Sequence, residues 1–168
     1  MKLFKNLLLV TVLFLGFTAA QAQSILAHIN RAELLAAMPE TTQMVDEMTK
    51  VAQAFDANYK SQATALEIKL QTYDQEAATQ TEAENQKRAF EVEELKKKLL
   101  QFASNAQSKL ELLQFELYKP IEDKAVNAIS DVAAAKGFDY VLDSSVGKGL
   151  IVVKGEDLMA AVKVKLGI

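Results

Sequence analysis

The chain of 168 residues has no cysteine and no tryptophan, and it contains one histidine, two prolines and six glycines. Without cysteine the protein has neither a disulfide nor a lipid-bearing cysteine, so packing alone must stabilise it. One histidine and no cysteine also exclude the His-pair and Cys-His spacings of common metal sites. The segment Gly147-Lys148-Gly149 lacks the strand, spacing and helix of a phosphate-binding loop. The sequence therefore predicts a protein that is not an enzyme and has no metal, cofactor or nucleotide.

The first 22 residues have the pattern of a secretory signal peptide. Lys2 and Lys5 precede an apolar run from Leu7 to Phe17, and Ala20-Gln21-Ala22 is a small-residue cleavage pattern. The alternative, a membrane anchor, is disfavoured because the run is shorter than the ~20 residues that span a bilayer. We therefore expect cleavage after Ala22 and a soluble periplasmic protein.

The charge balance does not favour nucleic acid as a partner. Residues 23–168 contain 17 basic and 22 acidic residues, a net charge of −5, whereas binding to phosphates needs clustered positive charge. The one dense basic run, Lys96 to Lys98, follows acidic residues at helical spacing, for example Glu93 before Lys97. We interpret this run as a solvated helix face with ion pairs.

The 80 residues between Pro39 and Pro120 contain no glycine or proline, which predicts long uninterrupted helices. Apolar residues recur every three or four positions in two stretches, which predicts an antiparallel coiled-coil hairpin over residues 40–119. The first stripe comprises Met44, Met48, Val51, Phe55, Tyr59, Ala63, Leu66, Leu70, Tyr73 and Ala77, and the second comprises Val92, Leu95, Leu99, Phe102, Ala106, Leu110, Leu113 and Leu117. The periodicity lapses between them, and Thr81 with Glu84 has the spacing of a capping box, so the tip is expected near 79–81.

Some large apolar residues of this arm fall outside the stripes. Ile68, Phe90 and Leu100 lie far from the body in sequence, and we treat them as candidate binding residues because exposed apolar surface often marks an interaction site. Leu112 and Phe115 lie nearer the body, and we expect them either to pack against it or to be isolated surface residues.

Residues 23–39 and 120–168 are separated by the arm and are expected to form one small body. We predict strands at about 24–29, 138–143 and 149–153, the last two as a hairpin, and helices at 30–38, after Pro120, and from about Glu156 to Leu166. His28 has no partner motif for a catalytic triad and is interpreted as a packed strand residue. Three short strands leave open edges, so we predict a homo-oligomer joined through strand residues. The candidates are Ile25, Ala27, Ile29, Tyr140, Leu142, Ile151 and Val153.

The order of these features resembles the family of the periplasmic chaperone Skp and its OmpH-like relatives. The resemblance depends on the strand ending in Ile29-Asn30, the segment 34–40 leading into the hairpin, and the return at 120–124. The sharpest match is the block 135–144, followed by 149–153 and a helix ending at Ile168. The local sequences around Pro39 and at the C-terminus look like those of the Bacteroidetes branch of the family.

The resemblance implies an α+β, mainly helical fold, in which three bodies form one β-barrel and three hairpin arms enclose a cavity, like a jellyfish. Members of the family hold unfolded outer-membrane proteins there without ATP, so the expected partners are two further copies and unfolded barrel proteins. The best-known members have basic arms, whereas residues 40–119 here hold 14 acidic and 10 basic residues. Attraction to lipopolysaccharide or to an anionic membrane is therefore not expected.

A second interpretation belongs to a different class of protein. The chain would then be a periplasmic structural or adaptor coiled coil that binds one folded partner through its arm tips. A holdase binds several unrelated unfolded barrel proteins, whereas an adaptor does not.

Overall fold

A computed structural model describes residues 26–168. The expected signal peptide and Ile25 lie outside the described residues. The chain is mainly helical, with one small sheet, as the sequence predicts. Its elements in chain order are β1 (Leu26–Ile29), α1 (Arg31–Ala37), α2 (Pro39–Glu76), a 3-10 turn (Ala77–Thr79), α3 (Glu82–Lys136), β2 (Tyr140–Asp143), β3 (Glu156–Asp157) and α4 (Met159–Leu166).

Helices α2 and α3 form the long hairpin. The 38 residues of α2 extend over roughly 57 Å at 1.5 Å per residue. Near the tip, the Thr81 hydroxyl accepts a hydrogen bond from the Glu84 backbone N–H at 3.3 Å, so Thr81 caps α3 as one half of the predicted capping box. Helix α3 continues without interruption through Pro120 and ends at Gly137, whose φ of 75° is the left-handed conformation of a glycine cap.

The two long helices contact each other along a narrow apolar seam. Phe55 and Phe102 meet edge to face, with ring centroids 6.1 Å apart and an interplanar angle of 68°. Val92 and Ala106 of α3 are buried, whereas no residue of α2 is fully buried. One stripe on each helix therefore holds the hairpin together, and most other side chains of residues 40–119 are exposed to solvent.

The body contains a three-stranded parallel sheet in the order β2-β1-β3. Its core lies between one face of the sheet and helices α1, α3 and α4, and Leu34, Met38, Leu158 and Val162 are its largest fully buried side chains. Ala27 and Ile29 point into this core. The alternating residues of the strands lie on the opposite face, which none of these helices covers.

The predicted strand at 149–153 was wrong, and so was its hairpin with the preceding strand. The third strand is Glu156–Asp157, which pairs with β1 in parallel, and α4 begins at Met159 rather than at Glu156. The backbone N–H of Leu158 donates to the His28 carbonyl at 2.9 Å, so this segment occupies the second edge of β1. Residues 149–153 consequently have no strand beside them within the described chain, and they follow Gly147 and Gly149 as an irregular loop.

Candidate binding surfaces

The three candidate residues of the arm are all exposed. The exposed fractions of Ile68, Phe90 and Leu100 are 59%, 69% and 71%. Each lies outside the seam, so none of the three is needed to join α2 to α3. Leu112 and Phe115 are also exposed, which excludes their packing against the body.

Contacts between the helices fix where these side chains lie along the arm. Lys69 pairs with Glu91 across the hairpin, so their sequence neighbours Ile68 and Phe90 lie at the same level, in the half of the arm nearer the tip. Leu100 is two residues from Phe102 in sequence, so it lies at the level of the Phe55–Phe102 ring pair near the middle of the arm. The exposed apolar residues are thus spread along the arm rather than gathered in one pocket.

A polar network joins the helices below the tip. The Tyr73 hydroxyl donates to Glu91 Oε2 at 2.6 Å, and the Arg88 guanidinium lies 4.6 Å from the centre of the Tyr73 ring. Arg88 also forms an ion pair with Glu76 at 2.9 Å. Hydrogen bonds from Lys69 and then Tyr73 lower the pKa of Glu91 below its usual value. These directional contacts fix the register of the hairpin at its outer end.

Beside this network lies a shallow groove of about 370 Å³. Leu70, Ala77 and Val92 are among its apolar lining residues, and its charged lining residues are Asp74, Arg88 and Glu93. The groove is open to solvent, so it offers an apolar contact area rather than an enclosed ligand site.

Negative charge is concentrated at the outer end of the arm. Residues 74–94 contain seven acidic and two basic residues, whereas the rest of the arm contains seven acidic and eight basic residues. The whole negative excess of the arm therefore lies around the tip. Phe90 is in this acidic part, while Leu100 lies just beyond the lysine run 96–98.

The candidate residues of the body separate into two groups. Ala27 and Ile29 are each only 2% exposed, because they face the helices of their own chain. Their assignment to a surface that joins copies was therefore wrong. Alternation along a strand separates its two faces, but it does not say which face the helices cover. Tyr140 and Leu142 lie on the uncovered face, and Ile151 is 97% exposed in the loop before β3.

Sequence reasoning missed a polar cluster at the carboxyl ends of β1 and β2. The Asn30 side chain accepts the Glu33 backbone N–H at 3.1 Å and caps α1. Ser145 is buried, and its hydroxyl donates to Asp143 Oδ1 at 2.5 Å and lies 3.0 Å from the Asn30 side-chain oxygen. Asparagine followed three residues later by glutamate resembles a capping pattern, and this signal was available in the sequence.

Arg31 connects this polar cluster to the root of the arm. Its guanidinium lies 2.6 Å from Glu122 on α3 and 3.5 Å from Asp143 on β2. Burial favours the neutral form of Asp143, but hydrogen bonds from Ser145 and from the Arg31 backbone outweigh it and lower the pKa of this carboxyl group. The side chain of Arg31 thus ties the sheet to the arm helix.

The chain matches the family model described as "Outer membrane protein (OmpH-like)" over residues 26–166, and it belongs to that family. No curated protein matched the chain. Within residues 26–168, no helix combines the length and the apolar character that a membrane crossing requires. In the same part of the chain, no three His, Cys, Asp or Glu side chains are grouped so that they would hold a metal ion.

Proposed function

We propose that this protein is an ATP-independent periplasmic holdase chaperone that binds unfolded outer-membrane proteins between the arms of a homotrimer. Its membership in the OmpH-like family supports a chaperone of outer-membrane proteins. The observation that carries the proposal is the exposure of Ile68, Phe90 and Leu100 on a hairpin whose seam does not use them. Large apolar side chains in solvent stabilise nothing in the isolated chain, whereas they favour contact with an unfolded apolar client.

The geometry of the arm suits clients that have no fixed structure. Apolar contacts are non-directional, and the exposed residues are distributed along a long helix pair rather than set in one shaped pocket. Many weak contacts of this kind prevent aggregation without requiring one conformation of the client. No step needs a nucleotide.

The open sheet of the body supports assembly into a trimer. Each copy would add its edge strands to those of its neighbours, and the candidate contact residues are Tyr140 and Leu142 on the uncovered face and Ile151 and Val153 in the exposed loop. Three arms would then extend from one side of the joined bodies and enclose a cavity.

The first experiment is native mass spectrometry of the exported protein after dilution of a urea-unfolded outer-membrane β-barrel protein into it. A complex of three copies with one client is expected. A trimer without a bound client would contradict the proposed holdase activity. A monomer that binds no client would contradict both the trimer and the holdase activity.

A second experiment tests the arm surface. Replacing Ile68, Phe90 and Leu100 together with serine should weaken protection of the client from aggregation, measured by light scattering, while helical content and assembly stay unchanged. The matched control places serine at Val126, Val146 and Val164, three exposed body residues. Equal protection by both variants would show that the arm residues are not the client surface.

One observation favours a second candidate function. The excess of acidic residues around the tip, with Phe90 among them, is suited to a folded partner with a basic surface. In that case the chain would be an adaptor. It would not bind the several unrelated unfolded barrel proteins that a holdase binds.

A further inference from the structure

The tip groove lies beside the polar network of the arm, and its lining includes Leu70, Asp74, Ala77, Ala89, Val92 and Glu93. Contacts within the chain form this groove. The Asn85 side chain donates to the Ala77 carbonyl at 2.9 Å, which joins the end of α2 to the start of α3. The Tyr73 hydroxyl donates to Glu91 at 2.6 Å. Because these directional contacts already fix both helices, a ligand can bind in the tip groove without first ordering the hairpin.

The tip groove carries an excess of negative charge. The side chain of Arg88 is only 15% exposed and forms ion pairs with two glutamates, so its charge is balanced within the hairpin. Asp74 is exposed and forms no ion pair with any described residue. Glu93 pairs with Lys96 at 2.7 Å, but both side chains are exposed, and pairs of this kind are weak in water. The groove therefore attracts a positively charged group.

The end of α2 adds to this negative charge. Helix α2 has 38 residues, ends at Glu76 and has no basic residue in its last turn. The C-terminal end of a helix carries about half an elementary negative charge and favours nearby cations. Asp74 and Ala77 place the tip groove at this helix end. A lysine or arginine of a ligand is therefore attracted by the carboxylates and by the helix dipole together.

The apolar part of the tip groove suits a segment of an unfolded chain. Leu70, Ala77 and Val92 line this part, and Ala89 beside them is exposed. An apolar side chain that enters the groove removes apolar surface of both molecules from water. In an extended segment, successive side chains point to opposite sides, so one apolar side chain can enter while its neighbours stay in solvent near the carboxylates. Folded proteins bury most of their large apolar side chains, so an unfolded segment is the occupant that fits.

We propose that the tip groove binds segments of an unfolded client in which an apolar side chain is flanked by lysine or arginine. The apolar side chain contacts Leu70 and Val92, and the flanking cations lie near Asp74, Glu93 and the end of α2. This inference rests on the holdase activity of the proposed function and names the client segments that the tip prefers. The tip thus selects segments by their charge, which non-directional apolar contacts alone do not do.

The test compares short synthetic peptides, labelled with a fluorophore, in binding titrations with the exported protein followed by fluorescence anisotropy. The first peptide has a leucine flanked by lysines, the second has the same leucine flanked by glutamates, and the third has glycine in place of leucine between lysines. We expect the wild type to bind the first peptide about tenfold more tightly than either of the others. This preference for lysine over glutamate should shrink as salt is added, because the Debye length falls from about 30 Å at 0.01 M to about 8 Å at 0.15 M.

Asp74→Lys tests the location of the site, and Asp46→Lys is its matched control. Both aspartates are exposed on α2, and they lie roughly 42 Å apart along the helix at 1.5 Å per residue. Asp74→Lys should weaken binding of the lysine peptide about tenfold and strengthen binding of the glutamate peptide. Asp46→Lys should leave both affinities unchanged at 0.15 M salt, because it lies several Debye lengths from the groove.

Equal affinities of the wild type for the lysine and glutamate peptides would overturn the inference, and this comparison holds even when a variant does not fold. Equal effects of Asp74→Lys and Asp46→Lys would also overturn it, because binding would then follow the total charge of the arm. Light scattering with a whole urea-unfolded barrel protein separates these results from the proposed function. A wild type that prevents aggregation without preferring the lysine peptide contradicts this inference and leaves the holdase intact. A wild type that prefers the lysine peptide but does not prevent aggregation supports the groove and contradicts the holdase.

Discussion

Pro120 lies inside α3, where proline is least compatible with a helix. Proline has no backbone N–H, so the carbonyl of Glu116 receives no hydrogen bond from this position, and the proline ring crowds that carbonyl. Pro120 is exposed, so its ring contributes little buried area in return. Replacing it with alanine should therefore stabilise the protein.

The magnitude follows from two opposing terms. Within a helix, alanine is favoured over proline by about 3 kcal/mol. Alanine also gives the unfolded chain more freedom, which costs up to about 1 kcal/mol. The expected net gain in the free energy of unfolding is about 2 kcal/mol, which for a chain of this size raises Tm by about 4 to 8 °C.

The chain provides a matched control in its other proline. Pro39 is the first residue of α2, where the missing N–H would have no intrahelical partner anyway. Pro39→Ala gains no hydrogen bond and should lower the free energy of unfolding by about 0.5 kcal/mol. The same substitution thus has opposite signs at the two positions.

The assay is urea unfolding followed by far-ultraviolet circular dichroism. Both variants and the wild type are measured at one protein concentration, because assembly makes stability depend on concentration. The reasoning is refuted if Pro120→Ala is no more stable than the wild type, or if Pro39→Ala gains as much as Pro120→Ala.

Two other predictions follow from single contacts. The pKa of Asp143 is lowered mainly by hydrogen bonds from Ser145 that outweigh its burial, so its stabilising effect is present above about pH 4 and is lost as the pH falls further. Urea unfolding of wild type and Asp143→Asn should show their stability difference shrinking below about pH 4, and a constant difference would contradict this. The Phe55 and Phe102 rings should be coupled by about 0.5 to 1.5 kcal/mol in a double-mutant cycle with alanine. Additive effects of the two single substitutions would contradict that coupling.

The hairpin could be predicted because its signals are local. Long helices need only the absence of glycine and proline together with a repeating apolar stripe, and the tip needs only the lapse of that stripe and the pair Thr81 and Glu84. Each of these is visible within one stretch of sequence. A helix after Pro120 was also expected, whereas its fusion with the second arm helix into one continuous α3 is visible only in the structure.

The sheet could be predicted only in part, because its pairing is not local. The apolar run at 149–153 has the composition of a strand, yet the second edge of β1 is taken by Glu156–Asp157, a pair with no strand-like character. Which segment pairs with β1 depends on how the loop after β2 crosses over, and Gly147 and Gly149 allow that path with φ values of 83° and 85°. No periodicity in the sequence indicates which of these two segments pairs with β1.

The candidate binding residues also divide into those with a local sequence signal and those without one. Ile68, Phe90 and Leu100 could be singled out because a residue off a helical stripe is exposed when a single partner helix covers that stripe. Ala27 and Ile29 could not be placed, because alternation gives two faces and the identity of the covered face depends on helices distant in sequence.

The arm is held together differently along its length. Near the tip, Arg88 and Tyr73 join the helices through directional contacts, and at the root Lys124 pairs with Glu40. Between these levels, the described side chains that join α2 to α3 make apolar contacts, such as that of Phe55 with Phe102. Directional contacts fix a register, whereas apolar contacts tolerate small rotations and shifts. Under the proposed function, the middle of the arm can therefore adapt to the size of a client while its two ends keep the hairpin in register.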